Sequence, residues 1–231
     1  MSMIVKDDIW VFLPAYNEAT VIRGIIKNIK SCGYVNIIVV DDGSTDKTYK
    51  FAQEEGARVL HLCLNRGVGA AIRAAILFAK KKNIEFMVFM DADGQHFPSE
   101  ITKLVDELQK QKADIVIGSR FLEQESKIPF SRIIYNKIAN MFTYFGKSTV
   151  TDSQSGFRLL NKVAINNLVD LELDEYGICT EMVWKANAMK LNLAETPIKV
   201  QYTKYSQSKG QNFWKGIQTA YNLIKNILYE H

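Results

Sequence analysis

The chain of 231 residues is expected to fold as an α/β protein around a mostly parallel sheet, with helices on both faces. Three observations lead there. Short apolar runs alternate with longer segments of helical periodicity, in the order β-α-β-α-β-α-β-α-β. The runs are apolar at nearly every position, as in strands covered on both sides rather than one. Each run also ends in a polar cluster, and open sheets of this kind bind ligands beyond the carboxyl ends of their strands.

The elements follow in order. Ile9 to Leu13 forms a first strand, stopped by Pro14. Val21, Ile22, Ile25, Ile26 and Ile29 recur at helical spacing, and Cys32-Gly33 ends that helix. Asn36 to Val40 is a second strand, leading into Asp41-Asp42-Gly43-Ser44-Thr45-Asp46. Thr45 or Asp46 can cap the next helix, which Gly56 stops. Arg58 to Leu62 is a third strand. Asn65-Arg66-Gly67-Val68-Gly69 then opens an alanine-rich helix from Ala70 to Lys81. Phe86 to Met90 is the central strand, and Ser99, after Pro98, caps a helix to about Gln111. Asp114 to Gly118 is the fifth strand.

The second half is less regular. A broad apolar helix is read from Pro129 to about Gly146, and a polar loop from Thr151 to Arg158 precedes a short strand. A helix over Glu181 to Met189, a strand over Pro197 to Tyr202 and a loop at Gln207 to Gly210 follow. An amphipathic helix spans about 213 to 229. No repeat, low-complexity segment or linker divides the chain.

Composition narrows the function classes. A hydrophobic content of 47% is ample for a core, and a net charge of +4 suits an anionic substrate or acidic surface. No nucleic-acid recognition signature is present, so nucleic acid is not an expected partner. Three widely spaced cysteines without a CxxC read as reduced thiols of a cytosolic protein. The N-terminus lacks the apolar core of a signal peptide. No run approaches the roughly 18 apolar residues of a membrane span.

The chemistry gathers where the central strand ends, at Asp91-Ala92-Asp93-Gly94-Gln95-His96. Two carboxylates at i and i+2 can face one point once Gly94 turns the backbone. Hard oxygens grouped this way suit Mg²⁺ or Mn²⁺, which complete their shell with water and substrate phosphate. A plain surface turn is the competing explanation for such a DxD.

With Leu13-Pro14-Ala15-Tyr16-Asn17-Glu18, Val40 to Asp46, Asn65 to Gly69, Asp91 to His96, Gly118-Ser119-Arg120, Ser155-Gly156-Phe157-Arg158 and Ser208-Lys209 in this order, the chain resembles the family 2 glycosyltransferases. Within them it is similar to the dolichyl- or polyprenyl-phosphate branch. The motifs span roughly residues 9 to 210; each is modest alone, and the ordered set is specific. The resemblance implies a GT-A, Rossmann-like fold in one catalytic domain. Residues 1–120 would bind the nucleotide-sugar and 121–210 the acceptor, with 211–231 as an amphipathic C-terminal helix. Two departures stand out. Many relatives carry transmembrane helices after this domain, and none is legible here. Thr203 stands where mannose synthases of the branch have Arg, and Ser206 where Gly is usual, which weighs against mannose and a GDP donor.

The resemblance assigns roles by position. Pro14, Ala15, Tyr16 and Glu18 form the base-and-ribose wall, and Asp42 recognises the base edge. Gly67 and Gly69 permit close approach at a helix start, where N–H groups can face phosphate, and Arg66 is a candidate donor contact. Asp91, Ala92, Asp93 and Gln95 line the metal and diphosphate, with Asp91, Asp93 and Gln95 as ligands and Asp93 foremost. His96 orients or packs. Arg120 and Arg132 bind phosphate, a task the guanidinium fork suits; Arg132 and Arg158 are the acceptor-phosphate candidates. Lys209 closes over the diphosphate. Asp152 and Glu181 are conceivable bases or orienters, although a phosphate nucleophile is already an anion and needs little help.

The expected activity is therefore a metal-dependent, inverting transfer from a nucleotide-sugar to a polyprenyl phosphate, undecaprenyl or dolichyl, at the cytosolic membrane face. UDP-glucose or UDP-N-acetylglucosamine are the preferred donors, with GDP-mannose the other option. The two amphipathic stretches could lie on the membrane surface, pack on the sheet, or meet a small membrane-protein partner. Two alternatives remain: transfer to a soluble or cell-wall glycan, and a non-catalytic nucleotide-sugar-binding scaffold.

Overall fold

The computed structural model describes residues 4–122, 140, 150–173 and 177–209, and for 207–209 the backbone alone. Apart from residue 140, the helices expected near 130–146 and 213–229, and Arg132, lie outside the described residues.

Seven strands form one sheet: β1 (Ile9–Ala15), β2 (Asn36–Asp41), β3 (Arg58–His61), β4 (Phe86–Phe89), β5 (Ile115–Ser119), β6 (Arg158–Asn161) and β7 (Leu193–Pro197). Their spatial order is β3-β2-β1-β4-β6-β5-β7. All pairs are parallel except those of β6, which runs antiparallel to both β4 and β5. The helices are α1 (Ile22–Ser31), α2 (Thr48–Glu54), α3 (Val68–Lys81), α4 (Ile101–Gln111), α5 (Lys162–Asn167), α6 (Gly177–Ala188) and α7 (Lys204–Lys209). The expected mostly parallel α/β architecture is present.

Residues of each strand alternate between two cores. Val11, Leu13, Val39 and Val88 pack with α1 and α4 on one face. Phe12, Ile38, Val40, Met87 and Phe89 pack with α3, α5 and α6 on the other. Burial on both faces is what the uninterrupted apolar runs require.

Five boundaries differ from expectation, each for a local reason. Pro14 lies inside β1 rather than ending it. Met90 donates to Phe12 O at 3.0 Å on the β4 side, and Asp42 donates to Ala15 O at 2.9 Å on the β2 side. Alternation then turns Pro14 toward β4, which has already ended at Phe89, so its missing N–H costs no ladder bond. Ser99 caps nothing: it sits exposed in a 3₁₀ turn, Pro98–Glu100, that leads into α4. The helix read from Glu181 begins a turn earlier, at Gly177. The strand expected over 197–202 lies at Leu193–Pro197, and beyond it only Val200 bridges, to His96. Ile198 and Val200 are apolar because they pack into the first core, not because they pair. Finally, the loop expected from Gln207 is in part helix: α7 runs to Lys209.

Candidate active site

The sheet order reverses at β1, which sets the β1 and β4 ends side by side, the place where such sheets bind ligands. The antiparallel course of β6 matters equally. It brings the start of β6, and the polar loop before it, to the carboxyl ends of β4 and β5. Phe89 pairs with Arg158, so the same register continued beyond the strands sets Asp91 opposite Gly156.

That opposition is tight. A Cβ on Gly156 would stand 2.9 Å from Asp91 Oδ2 and 3.0 Å from Cγ. On its other side Asp91 Oδ2 meets His96 Nε2 at 3.1 Å, and the His96 ring stacks on Phe157 at 5.0 Å between centroids. His96 thus orients and packs, as expected. Asp93 Oδ1 accepts from Gln95 N at 2.9 Å and its Oδ2 from the Gln95 side-chain amide. Gln95 therefore supports Asp93 rather than standing apart as an independent ligand.

Burial pushes the Asp93 carboxyl above its ordinary pKa, and the charge of Asp91 pushes it further; Gln95 and His96 act the other way. Two hard carboxylates that repel each other at a strand end fit a divalent cation. Among the described residues no three His, Cys, Asp or Glu side chains converge on one point. An ion here would rest on the Asp91/Asp93 pair, with substrate and water completing its shell.

Arg120, just past β5, meets Asp152 edge to edge: Nε to Oδ2 and Nη2 to Oδ1 are both 2.7 Å, and Arg120 N donates to Oδ2 at 3.0 Å. Asp152 is fully buried, and its attraction holds the guanidinium charged against the cost of burial. The charge of Asp91 adds a smaller pull on this guanidinium. Both Asp152 oxygens are engaged, so the geometry makes Asp152 an orienter of Arg120 rather than a base. The Asp152 loop is held in turn by Glu195, whose oxygens accept from Thr151 N at 2.8 Å and Asp152 N at 3.0 Å.

The residues expected to face the nucleoside sit on crossing loops. Ala15 is buried at the end of β1, Pro14 is half-buried, and Tyr16 is 40% exposed. Asn17, at φ 55°, accepts through Oδ1 from Thr45 N at 2.9 Å and Asp46 N at 3.3 Å, joining the β1 and β2 loops. Asp46 accepts from Thr48 N at 2.8 Å, just ahead of α2, whose N-cap position is Lys47 and carries no side-chain cap bond. Asp42 is buried and accepts from Arg66 N at 3.0 Å and Gly67 N at 2.7 Å. Its carboxylate pins the 64–67 loop, and its remaining lone pairs are what it could offer a base edge. Gly43, at φ +68°, has no room for a side chain, since a Cβ would lie 2.7 Å from Asn65 N. The Arg66 side chain is exposed, and Gly69 and Ala92 are buried.

Two candidates are placed elsewhere. Arg158 is buried, with Nε on Ser155 O at 2.7 Å, Nη1 on Cys179 O at 3.0 Å and Nη2 on Ser153 O at 2.6 Å. A guanidinium enclosed by three carbonyls shapes the Ser153–Phe157 loop rather than meeting an acceptor phosphate. Glu181 accepts from Glu172 N and Leu173 N, both at 2.8 Å, and pairs with Lys185 at 3.1 Å. It fastens the start of α6. The sequence reading passed over Asn17, Gly156 as a packing partner of Asp91, Glu195 and Tyr205. Tyr205 O–H donates to Glu18 Oε2 at 2.6 Å across 187 residues of chain.

Parallel strand ends here carry a carboxylate pair, an anchored arginine and interlocked loops, the kind of strand-end site at which α/β sheets bind ligands. The model of glycosyl transferase family 2 matches residues 10–168, and the chain belongs to that family as a glycosyltransferase. Its relatives place it in the polyprenyl-phosphate branch. It is 33% identical, over 94% of both chains, to a protein of Methanococcus voltae named UDP-N-acetylglucosamine–dolichyl-phosphate N-acetylglucosaminyltransferase. It is 29% identical to the polyprenol monophosphomannose synthase of Mycolicibacterium smegmatis, over 86% of this chain and 79% of that one. Glucosyl-3-phosphoglycerate synthase of Mycobacterium tuberculosis, solved with Mn²⁺, UDP-glucose and phosphoglyceric acid, shares the fold. Its TM-score is 0.73 at 18% identity, covering 96% of this chain and 78% of that chain.

Proposed function

We propose that this protein transfers a sugar from a UDP-linked donor to a polyprenyl phosphate, with inversion, using a divalent cation held by Asp91 and Asp93. One observation carries the reading: at the β4 end the Asp91 carboxylate, held between Gly156 and His96, and the half-buried Asp93, held by Gln95, stand two residues apart on one turn. The cation, when bound, neutralises charge on the departing nucleoside diphosphate.

The chain's own groups do the rest. Glu18 and the Pro14–Tyr16 wall hold the nucleoside, with Asp42 at the base edge. Arg120 offers phosphate the guanidinium edge that Asp152 does not occupy. The acceptor's phosphate oxygen attacks the anomeric carbon as the bond to the diphosphate breaks, and no proton need be removed first. Arg132 is assigned to the acceptor phosphate and Lys209 to the diphosphate. The acceptor's lipid tail implies work at the cytosolic membrane surface. Among the described residues no helix is long and apolar enough to cross a membrane, so peripheral association is the form proposed.

A UDP donor, carrying N-acetylglucosamine or glucose, is supported by Thr203 in the mannose-type arginine position and by the name of the Methanococcus relative. Titration calorimetry with UDP and GDP, each with and without Mn²⁺, tests it. Mn²⁺-dependent UDP binding that is lost in Asp93→Ala is the expected result. Preference for GDP would return mannose to first place. Binding of neither nucleotide would refute the proposed donor.

A further inference from the structure

Glu18 stands on a rigid base. Its N–H donates to Thr48 Oγ1 at 2.7 Å, and its carbonyl receives Val21 N and Ile22 N, both at 3.0 Å, where α1 begins. The turn is therefore locked to α2 and to its own helix, and what remains adjustable is the carboxylate. That carboxylate is met from the far end of the chain, by the Tyr205 hydroxyl at 2.6 Å.

The local sequence explains why Tyr205 is there. Thr203 and Ser206 cap each other: Thr203 N donates to Ser206 Oγ and Ser206 N to Thr203 Oγ1, both at 3.0 Å. This reciprocal box starts α7, and Ser206 is fully buried, which fixes the helix face that turns inward. Tyr205, between the capping pair, is thereby directed at the β1–α1 turn. Burial, then the hydrogen bond to Glu18, lift the Tyr205 hydroxyl well above its ordinary pKa, so it stays a donor; a hydrogen bond with Thr20 acts the other way.

We propose that Tyr205 is a positioning residue of the donor site: it sets the Glu18 carboxylate against the nucleoside. This rests on the reading of Glu18 as a ribose contact. A hydroxyl–carboxylate hydrogen bond of this length is of the strong, charge-assisted kind. Its loss therefore weakens binding of a ligand that uses Glu18 and leaves binding at the diphosphate end alone.

The test is calorimetry with Mn²⁺ and either UDP or inorganic pyrophosphate, on wild type, Tyr205→Phe, Glu18→Ala and the double variant, with melting temperatures recorded alongside. Tyr205→Phe is expected to weaken UDP binding about tenfold while pyrophosphate affinity stays within about twofold. The double variant should bind UDP no more weakly than Glu18→Ala, because both substitutions remove one interaction. UDP affinity unchanged in Tyr205→Phe, or tighter as it would be if the tyrosine competed with the nucleoside, overturns the proposal. So does a parallel loss of pyrophosphate binding, or additive losses in the double variant. Wild type that binds pyrophosphate but not UDP would instead remove the nucleoside-wall assignment, and the role of Tyr205 with it, while leaving the metal site standing.

Discussion

Arg120 and Asp152 form a two-pronged pair at the end of β5, with both side-chain bonds at 2.7 Å and the carboxylate wholly buried. An arginine so held presents one edge to the carboxylate and keeps its plane fixed. That is the condition for meeting a phosphate without first losing side-chain entropy.

Breaking the pair from one side should be costly. Asp152→Ala leaves the guanidinium in a low-dielectric site without its partner, and a loss of about 3–5 kcal/mol is expected. Urea unfolding measures it. Replacing both members with apolar residues of similar volume should recover much of the stability and none of the transfer activity. A double variant as unstable as Asp152→Ala would show that packing, not charge, is what the pair supplies.

Gly156→Ala should act on the metal rather than on the fold. Its added methyl falls against the Asp91 carboxylate, 2.9 Å from Oδ2. The expected result is weaker Mn²⁺ binding, read by calorimetry with metal alone, with a melting temperature within a few degrees of wild type. Equal Mn²⁺ affinity in the variant would mean that Asp91 can move aside at no cost.

Cys179 provides a pH test at a buried thiol that also feels the charges of Asp91 and Asp152. Burial pushes its thiol up, partly offset by the nearby Arg158 charge. A raised folded pKa means that the thiol's contribution to stability is complete below the unfolded value, about 8.5, and is lost as pH climbs toward the folded value. Wild type should therefore lose stability above about pH 8.5 more steeply than Cys179→Ala. Unfolding curves from pH 7 to pH 10 compare them, and parallel pH profiles would contradict the assignment. In the folded protein, iodoacetamide should label the exposed Cys63 and spare Cys179.

Much of this molecule is legible in one dimension. Apolar runs such as Ile37, Ile38, Val39 and Val40, or Ile115, Val116 and Ile117, mark strands because burial on both faces favours apolar side chains at successive positions. Polar clusters mark strand ends because that is where the chain meets water and ligand. Asp91, Asp93, Asp46 and the glycine stops at Gly33 and Gly56 follow from local rules of turn and cap, and those rules operate over a few residues. The boundaries that moved are those where tertiary pairing overrides local preference. Pro14 is tolerated because β4 is shorter than β2, and Ile198 and Val200 are apolar for packing rather than for pairing.

The sequence alone determined the alternation of strands and helices, the strand-end location of the chemistry and the carboxylate pair, because each depends on spacing along the chain. Only the tertiary structure decided what those residues do to one another. The antiparallel β6 puts Gly156 against Asp91; Asp42 spends two lone pairs on a loop 24 and 25 residues away; Arg158 turns inward to three carbonyls; and Tyr205 reaches Glu18 from the far end of the chain. Apart from Ser153 and Ser155 beside Arg158, these partners lie far apart in sequence. A side chain's role is set by which hydrogen-bonding groups and charges the fold brings within about 3 Å of it, and residue type and spacing fix only what it could offer.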